Sequence, residues 1–323
     1  MDFARTEEQQ ELAATLRSLL TKRGGSADAR AAIASEAGFD AALWQTLCEQ
    51  IGVAALAVPE EYDGVGASLD ETATALEETA RSLAPLPLLA SSIATAALLL
   101  HGTDEQKADL LPRIVAGATA TVVLEPPLVL EPAAEVVLVP SGDGLTVSGT
   151  APSARRALDP GLRLGHLDVA AEPSQELLDV AASLATAVQV GTAQLALDLT
   201  VAYAKERQQF GRPIGSFQAL KHRMADLLVL VEMSRSASWA ATGAAAAYVS
   251  EPTVERAATL RQRAAVAQAY CSGATETVAG EMIQLHGGIA ITWEHDAHLV
   301  FKRAHVLGQL FGAAHVHRAA VSP

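Results

Sequence analysis

The sequence has little of what secreted, redox and nucleic-acid-binding proteins depend on. Its two cysteines, Cys48 and Cys271, cannot build a disulfide framework and lack the paired spacing of a zinc or redox motif. They read as small buried hydrophobes of a reducing compartment. Basic residues are in deficit, 23 Lys and Arg against 37 Asp and Glu, so the formal charge is −14. A polyanion would be repelled, which excludes nucleic-acid coating. Aromatics are 4% and charged residues 19%, yet half the chain is hydrophobic; that excludes disorder and supplies a sizeable core. The N-terminus, Met1-Asp2-Phe3-Ala4-Arg5-Thr6-Glu7-Glu8, is acidic where a secretory signal has a basic region and an apolar run, so a cytoplasmic protein is expected. One uncharged run, Leu83 to Leu100, approaches membrane-spanning length, but Pro85 and Pro87 interrupt it. The 13 residues left before His101 cover about two-thirds of a bilayer at ~1.5 Å per residue, and they read as a buried core helix with no membrane span.

Helix start signals punctuate residues 1–118, which are expected to form an N-terminal helical domain. Thr6-Glu7-Glu8-Gln9, Ser68-Leu69-Asp70-Glu71 and Thr103-Asp104-Glu105-Gln106 each read as a capping box, opening helices to about Lys22, Arg81 and Ala116. The loop Ala57-Val58-Pro59-Glu60-Glu61-Tyr62-Asp63-Gly64-Val65-Gly66 separates the first two. From residue 119 the pattern changes to short β-branched runs, Thr121–Leu124, Glu135–Val139 and Leu145–Ser148, among Pro126, Pro127, Pro132, Pro140 and Gly142-Asp143-Gly144. This reduced β segment, 119–173, contains no Phe, Trp or Tyr. Residues 174–323 read as long antiparallel helices forming a bundle: Glu176 to Glu206, then a run capped by Ser216 to about Val249, then one opened by Glu251-Pro252 that reaches about Leu285.

Two segments rise above generic helix. In Tyr203-Ala204-Lys205-Glu206-Arg207-Gln208-Gln209-Phe210-Gly211-Arg212-Pro213-Ile214-Gly215-Ser216-Phe217-Gln218 a helix ends in a guanidinium fork suited to phosphate, beside an amide and a flat aromatic. In Gln284-Leu285-His286-Gly287-Gly288-Ile289-Ala290-Ile291 a helix ends in paired glycines that let backbone approach a ligand. Taken singly, arginine and glycine at a helix end are also ordinary capping.

Together, in this order and after a helical domain and a β insert, the two segments resemble the acyl-CoA dehydrogenase family, as does Ala57-Val58-Pro59-Glu60-Glu61-Tyr62-Asp63-Gly64. The resemblance implies a mainly α fold with an N-terminal helical domain, a β middle domain and a C-terminal four-helix bundle, and FAD where subunits meet. It implies that Arg207 contacts the FAD pyrophosphate, that Gln209 and Phe210 lie at the phosphate and the adenosine side, and that Gln284, Gly287 and Gly288 cover the ADP moiety. In the family these groups serve the FAD held mainly by the other subunit. The implied reaction is α,β-dehydrogenation of an acyl-CoA, in which a carboxylate removes the α-proton and the thioester carbonyl is polarised. An electron-transferring flavoprotein is implied as redox partner.

The chain departs from the family where the chemistry is done. Aligning Arg303 with the family arginine before the base puts Gly312 where the glutamate is expected. The alternative base position, about 26 residues upstream of the first motif's arginine, holds Ala181. Glu176 and Asp179 are candidate bases that also fit favourable charges at a helix start, and Glu294, in Thr292-Trp293-Glu294-His295-Asp296, is a third candidate base that also reads as a structural acid near a helix N-terminus. Among His295, His298, His305, His315 and His317 no acid-histidine spacing beyond His295-Asp296-Ala297-His298 supports a metal site, and surface or interface histidines are expected. The β segment is about half the family's length and has no tryptophan, so no seat for the flavin ring is expected. The chain resembles the shortened subunits of α2β2 actinobacterial acyl-CoA dehydrogenases acting on CoA thioesters of steroid degradation. That resemblance implies a full-length paralogue as partner, one FAD per heterodimer, and a chain inactive alone. A self-sufficient homodimer with an unusual base and a non-catalytic scaffold without flavin are the alternatives.

Overall fold

The computed structural model describes residues 5–125, 127–142 and 144–321. The N-terminal residues 1–4 and the turn positions Pro126 and Asp143, read above from sequence, lie outside the described residues. Six helices come first: α1 (Glu7–Arg23), α2 (Ser26–Ala34), α3 (Ala41–Gln50), α4 (Leu69–Ala80), α5 (Leu88–His101) and α6 (Asp104–Val115). All three expected capping boxes form. Thr6 and Gln9, Ser68 and Glu71, and Thr103 and Gln106 bond reciprocally, each pair satisfying orphan amides of a first turn. The apolar run after Pro87 is α5, 14 residues long and buried up to Leu98.

The β segment holds two three-stranded sheets. β1 (Ala120–Val122) pairs parallel with β3 (Val136–Ser141), which pairs antiparallel with β4 (Gly144–Val147); β6 (Leu164–His166) lies between β2 (Leu128–Leu130) and β5 (Ser153–Arg155). Three of these six coincide with the β-branched runs. The second sheet has no such signal, because β5 is wholly exposed and β6 is Leu-Gly-His.

Three long helices follow: α7 (Gln175–Glu206), α8 (Gln218–Ser250) and α9 (Val254–His286), then α10 (Ala297–Leu307) and α11 (Ala314–Val321). Two expected starts are corrected. Ser216 closes a 3₁₀ turn by donating to Pro213 O at 2.7 Å, and α8 begins after Phe217; α9 is capped by Thr253, whose Oγ1 accepts from Arg256 N. By length and composition α7 could cross a membrane, but 83% of its most apolar stretch is buried against other helices. It is the core helix: Leu177, Val180, Ala181 and Leu184 share one cluster with Leu16, Leu43 and Leu76 of the N-terminal helices.

The N-terminal helices lock onto this bundle at α4. A Cβ added at Gly191 of α7 would lie 2.2 Å from Glu77 O and 2.7 Å from Ala80 Cβ, so α4 and α7 touch backbone to backbone. Beside that contact the buried carboxylates Glu77 and Glu78 meet four arginines. Glu77 takes Arg5 at 2.7 Å and Arg235 of α8 at 2.9 Å; Glu78 takes Arg17 at 2.6 Å, Arg5 at 3.2 Å and Arg81 at 3.7 Å. Burial alone would push the Glu78 carboxyl up, but the guanidinium groups of Arg17, Arg81 and Arg5 hold it below the usual range.

Gly191→Ala is expected to force α4 from α7 and cost about 1–3 kcal/mol, read as a fall in Tm. Because the Glu78 pKa is lowered on folding, its contribution is full above the unfolded value of about 4.3 and is lost as pH falls through the folded one. Glu78→Gln should therefore lower stability at neutral pH, by roughly 3–5 kcal/mol for a buried charge cluster losing one member. The same variant should flatten the acid limb of a Tm–pH profile.

Candidate functional site

The arginine motif begins where α7 ends. Arg207 is its C-cap, with its N–H donating to Tyr203 O at 2.8 Å, and the chain then turns back as a hairpin of β7 (Gln208–Gln209) and β8 (Arg212–Pro213). The two turn residues, Phe210 and Gly211, both have positive φ, 53° and 76°, the geometry that lets a two-residue turn match the twist of its strands. Phe210 pays conformationally for this place, being a non-glycine residue in the left-handed region. Its ring is 90% exposed, touching Phe217 edge-on at 6.2 Å, and Arg212 lies 4.0 Å over Phe217. Arg207 and Gln209 are exposed as well.

The glycine motif lies at the end of α9, which packs along α7. Gln284 is exposed, Gly287 ends the helix at φ 66°, and a Cβ at Gly287 or Gly288 would meet nothing within 4 Å. Tyr203 ties the two motifs together. Its ring stacks on His286 at 4.3 Å and its hydroxyl donates to His286 O at 3.3 Å. The sequence pattern did not single out Tyr203, although it stands four residues before Arg207 on the same helix. His286 is buried, with Nδ1 2.7 Å from Met282 O and His295 4.6 Å from its ring. Burial, the largest cause, holds its pKa below the ordinary imidazole value, with His295 adding to it against the opposing Met282 carbonyl.

The positions where a base was sought are closed. Ala181 is fully buried in the core. Gly312 has φ 101°, and a Cβ there would lie 2.9 Å from His317 Nε2, which is itself 2.8 Å from Phe311 O. The loop is fixed from below, since Gln189 Nε2 donates to Leu307 O at 2.9 Å and Gln268 Nε2 to Leu310 O at 2.8 Å, both buried. The cavity against Leu310 and Phe311, also lined by Ile93, Val122 and Leu128, measures about 20 Å³, room for one water.

The remaining acids do not converge on this loop as a group. Asp179 is buried and takes a 3.0 Å bond from Gln175; burial pushes its carboxyl up. Glu176 is half-buried near the start of α7, and Glu294 is exposed in the turn before α10, whose cap residue is Asp296, not Glu294. Asp296 instead takes Arg30 at 2.8 Å and Ser26 at 2.6 Å from α2. Among the described residues no three His, Cys, Asp or Glu side chains are placed to hold a metal. Cys48 and Cys271 are buried, and burial pushes both thiols up to about 12.

Two family models match the chain. The acyl-CoA dehydrogenase N-terminal domain covers residues 6–118 and the acyl-CoA dehydrogenase C-terminal domain covers 173–322. Acyl-CoA dehydrogenase IpdE2 of Mycobacterium tuberculosis is 44% identical over 94% of this chain and 93% of its own length. Among solved structures, a Tcur3481-Tcur3483 steroid ACAD variant superposes with a TM-score of 0.84 at 28% identity, covering 98% of this chain and 96% of that one. The ChsE4-ChsE5 complex from Mycobacterium tuberculosis gives 0.84 at 26% identity, over 99% and 98%. With both domain models, a curated relative and whole-chain structural matches in agreement, the chain belongs to the acyl-CoA dehydrogenase family.

Proposed function

We propose that this chain is the shortened subunit of a heteromeric, α2β2 acyl-CoA dehydrogenase, completing a flavin site whose ring seat and catalytic glutamate lie on a full-length paralogue. One contrast carries the reading. The surface of Arg207, Gln209, Phe210, Gln284, Gly287 and Gly288 is exposed and sterically open, while the base position is a side-chain-free Gly312 backed by His317 and the adjoining cavity measures about 20 Å³. An open clamp with no reaction chamber behind it suits a cofactor presented by a neighbour.

The residues present fit the ADP end of FAD. Arg207 would pair bidentately with pyrophosphate oxygens, Gln209 and Gln284 would donate amide hydrogens, Phe210 would lie flat against the adenosine, and the two glycines admit the ligand to the backbone. FAD so held supplies the acceptor for the β-hydride of the acyl chain. The Tyr203–His286 stack keeps the hairpin and the glycine pair in register, so the clamp is organised before the ligand arrives. The α-proton needs a base that this chain does not place, which assigns that step to the partner.

The solved relatives named as a steroid ACAD and as a two-protein complex support a bulky, steroid-derived acyl-CoA as substrate and a paralogue as partner. Transfer of electrons to an electron-transferring flavoprotein follows the family pattern, and a cytoplasmic location fits that chemistry.

Arg207→Ala in the reconstituted heteromer should lower bound FAD per complex at least tenfold at limiting FAD, measured from flavin absorbance against protein mass. Unchanged FAD content would make the clamp a relic and favour a scaffold. Gly312→Glu is expected to give no flavin-reducing activity in the chain alone, because the new side chain is strained at φ 101° and meets His317. Turnover by that variant would show a working chamber in this subunit.

A further inference from the structure

A second, separate cavity carries charge of the sign this acidic chain otherwise lacks. It measures about 570 Å³, within the ~300–1,000 Å³ of small-molecule sites, and lies between the end of α2, the loop around β5 and the start of α10. Arg155, Arg156, Arg163 and Lys302 line it, against one carboxylate, Asp159. That carboxylate is already engaged: it lies 3.5 Å from Arg303 Nε and accepts from Gly161 N at 2.8 Å. Neither the Arg155 nor the Arg156 guanidinium has a hydrogen-bond or ion-pair partner among the described residues. Lys302 Nζ sits 4.5 Å from the centre of the Trp293 ring, which is 69% exposed.

The wall is built, not merely charged. Arg303, buried in α10, donates to Ser82 O at 2.9 Å and Leu83 O at 3.1 Å while pairing with Asp159, so the loop bearing the arginines is pinned to both helical domains. Arg163 crosses Gly38, where φ is 73° and a Cβ would lie 2.1 Å from its Nη1, and it donates to Glu36 O at 3.3 Å. Its nearest acid, Glu131, lies 3.9 Å from Nε, but burial pushes that carboxyl up to about 7. At 3.9 Å that contact is long for a charge-assisted hydrogen bond, so the Arg163 fork is not closed by it. A monoanion needs one such cation; several around one cavity suit a polyanion.

We propose that this cavity binds a diphosphate-bearing ligand of the nucleotide class, held by Arg155, Arg156, Arg163 and Lys302. The proposal stands on this chain alone and does not depend on the clamp at Arg207. Isothermal titration of the full chain at low salt with sodium pyrophosphate, ADP and coenzyme A tests it. At least one should bind with Kd below about 100 µM. If coenzyme A is tightest, the ligand is of the CoA type; if pyrophosphate matches the others, the diphosphate suffices for recognition.

Because Arg155 and Arg156 are exposed, R155Q/R156Q should fold and should weaken binding at least tenfold. Arg113→Gln, which removes a surface charge on α6, should leave binding intact. No saturable binding of any of the three, equal affinity in R155Q/R156Q, or an equal loss in Arg113→Gln would overturn the site.

Discussion

Everything in this molecule hangs on how α4 lies against α7. Gly191 brings the two backbones into contact, and the adjacent carboxylates of Glu77 and Glu78 are taken out of water at the same place. Isolated buried charges would cost more than folding can supply. The arginines that compensate them come from the N-terminal segment, α1, the end of α4 and α8, so satisfying two acids orients the helical domain on the bundle. In α10 the same device recurs with opposite sign, as buried Arg303 gathers the Ser82 and Leu83 carbonyls and Asp159.

This framework separates two regions of different character. The far ends of α7 and α9 present the two motifs to solvent, joined by the stack and the hydrogen bond between Tyr203 and His286. The middle of α7 is packed so completely that Ala181 and the loop around Phe311 leave almost no space. One region is open and the other is filled. A small β segment is consistent with that division, since two short sheets offer no broad wall against the bundle.

Much of the fold is legible in the sequence because its signals are local. The three capping boxes, the apolar α5 and the extent of α7 rest on contacts within a few residues, and each forms as the pattern predicts. Strands β5 and β6 are illegible because a rim sheet with exposed side chains carries no alternation. Helix α8 starts beyond Ser216 because the Ser216 hydroxyl finds a carbonyl in its own 3₁₀ turn. In the site, Arg207, Phe210 and the glycine pair are visible as motifs, but Tyr203 and His317 acquire meaning only through partners 83 and 6 residues away. The contact of Arg163 with Glu36 spans 127 residues, a distance over which no local pattern carries information.

The central claim is that this chain holds one end of a cofactor that another chain seats. An absorbance spectrum with a native mass, taken on the chain purified alone and again after co-expression with the full-length paralogue, tests it most directly. The account predicts no flavin band near 450 nm for the chain by itself and one FAD per heterodimer for the pair. A yellow homo-oligomer of this chain alone that dehydrogenates an acyl-CoA would contradict it.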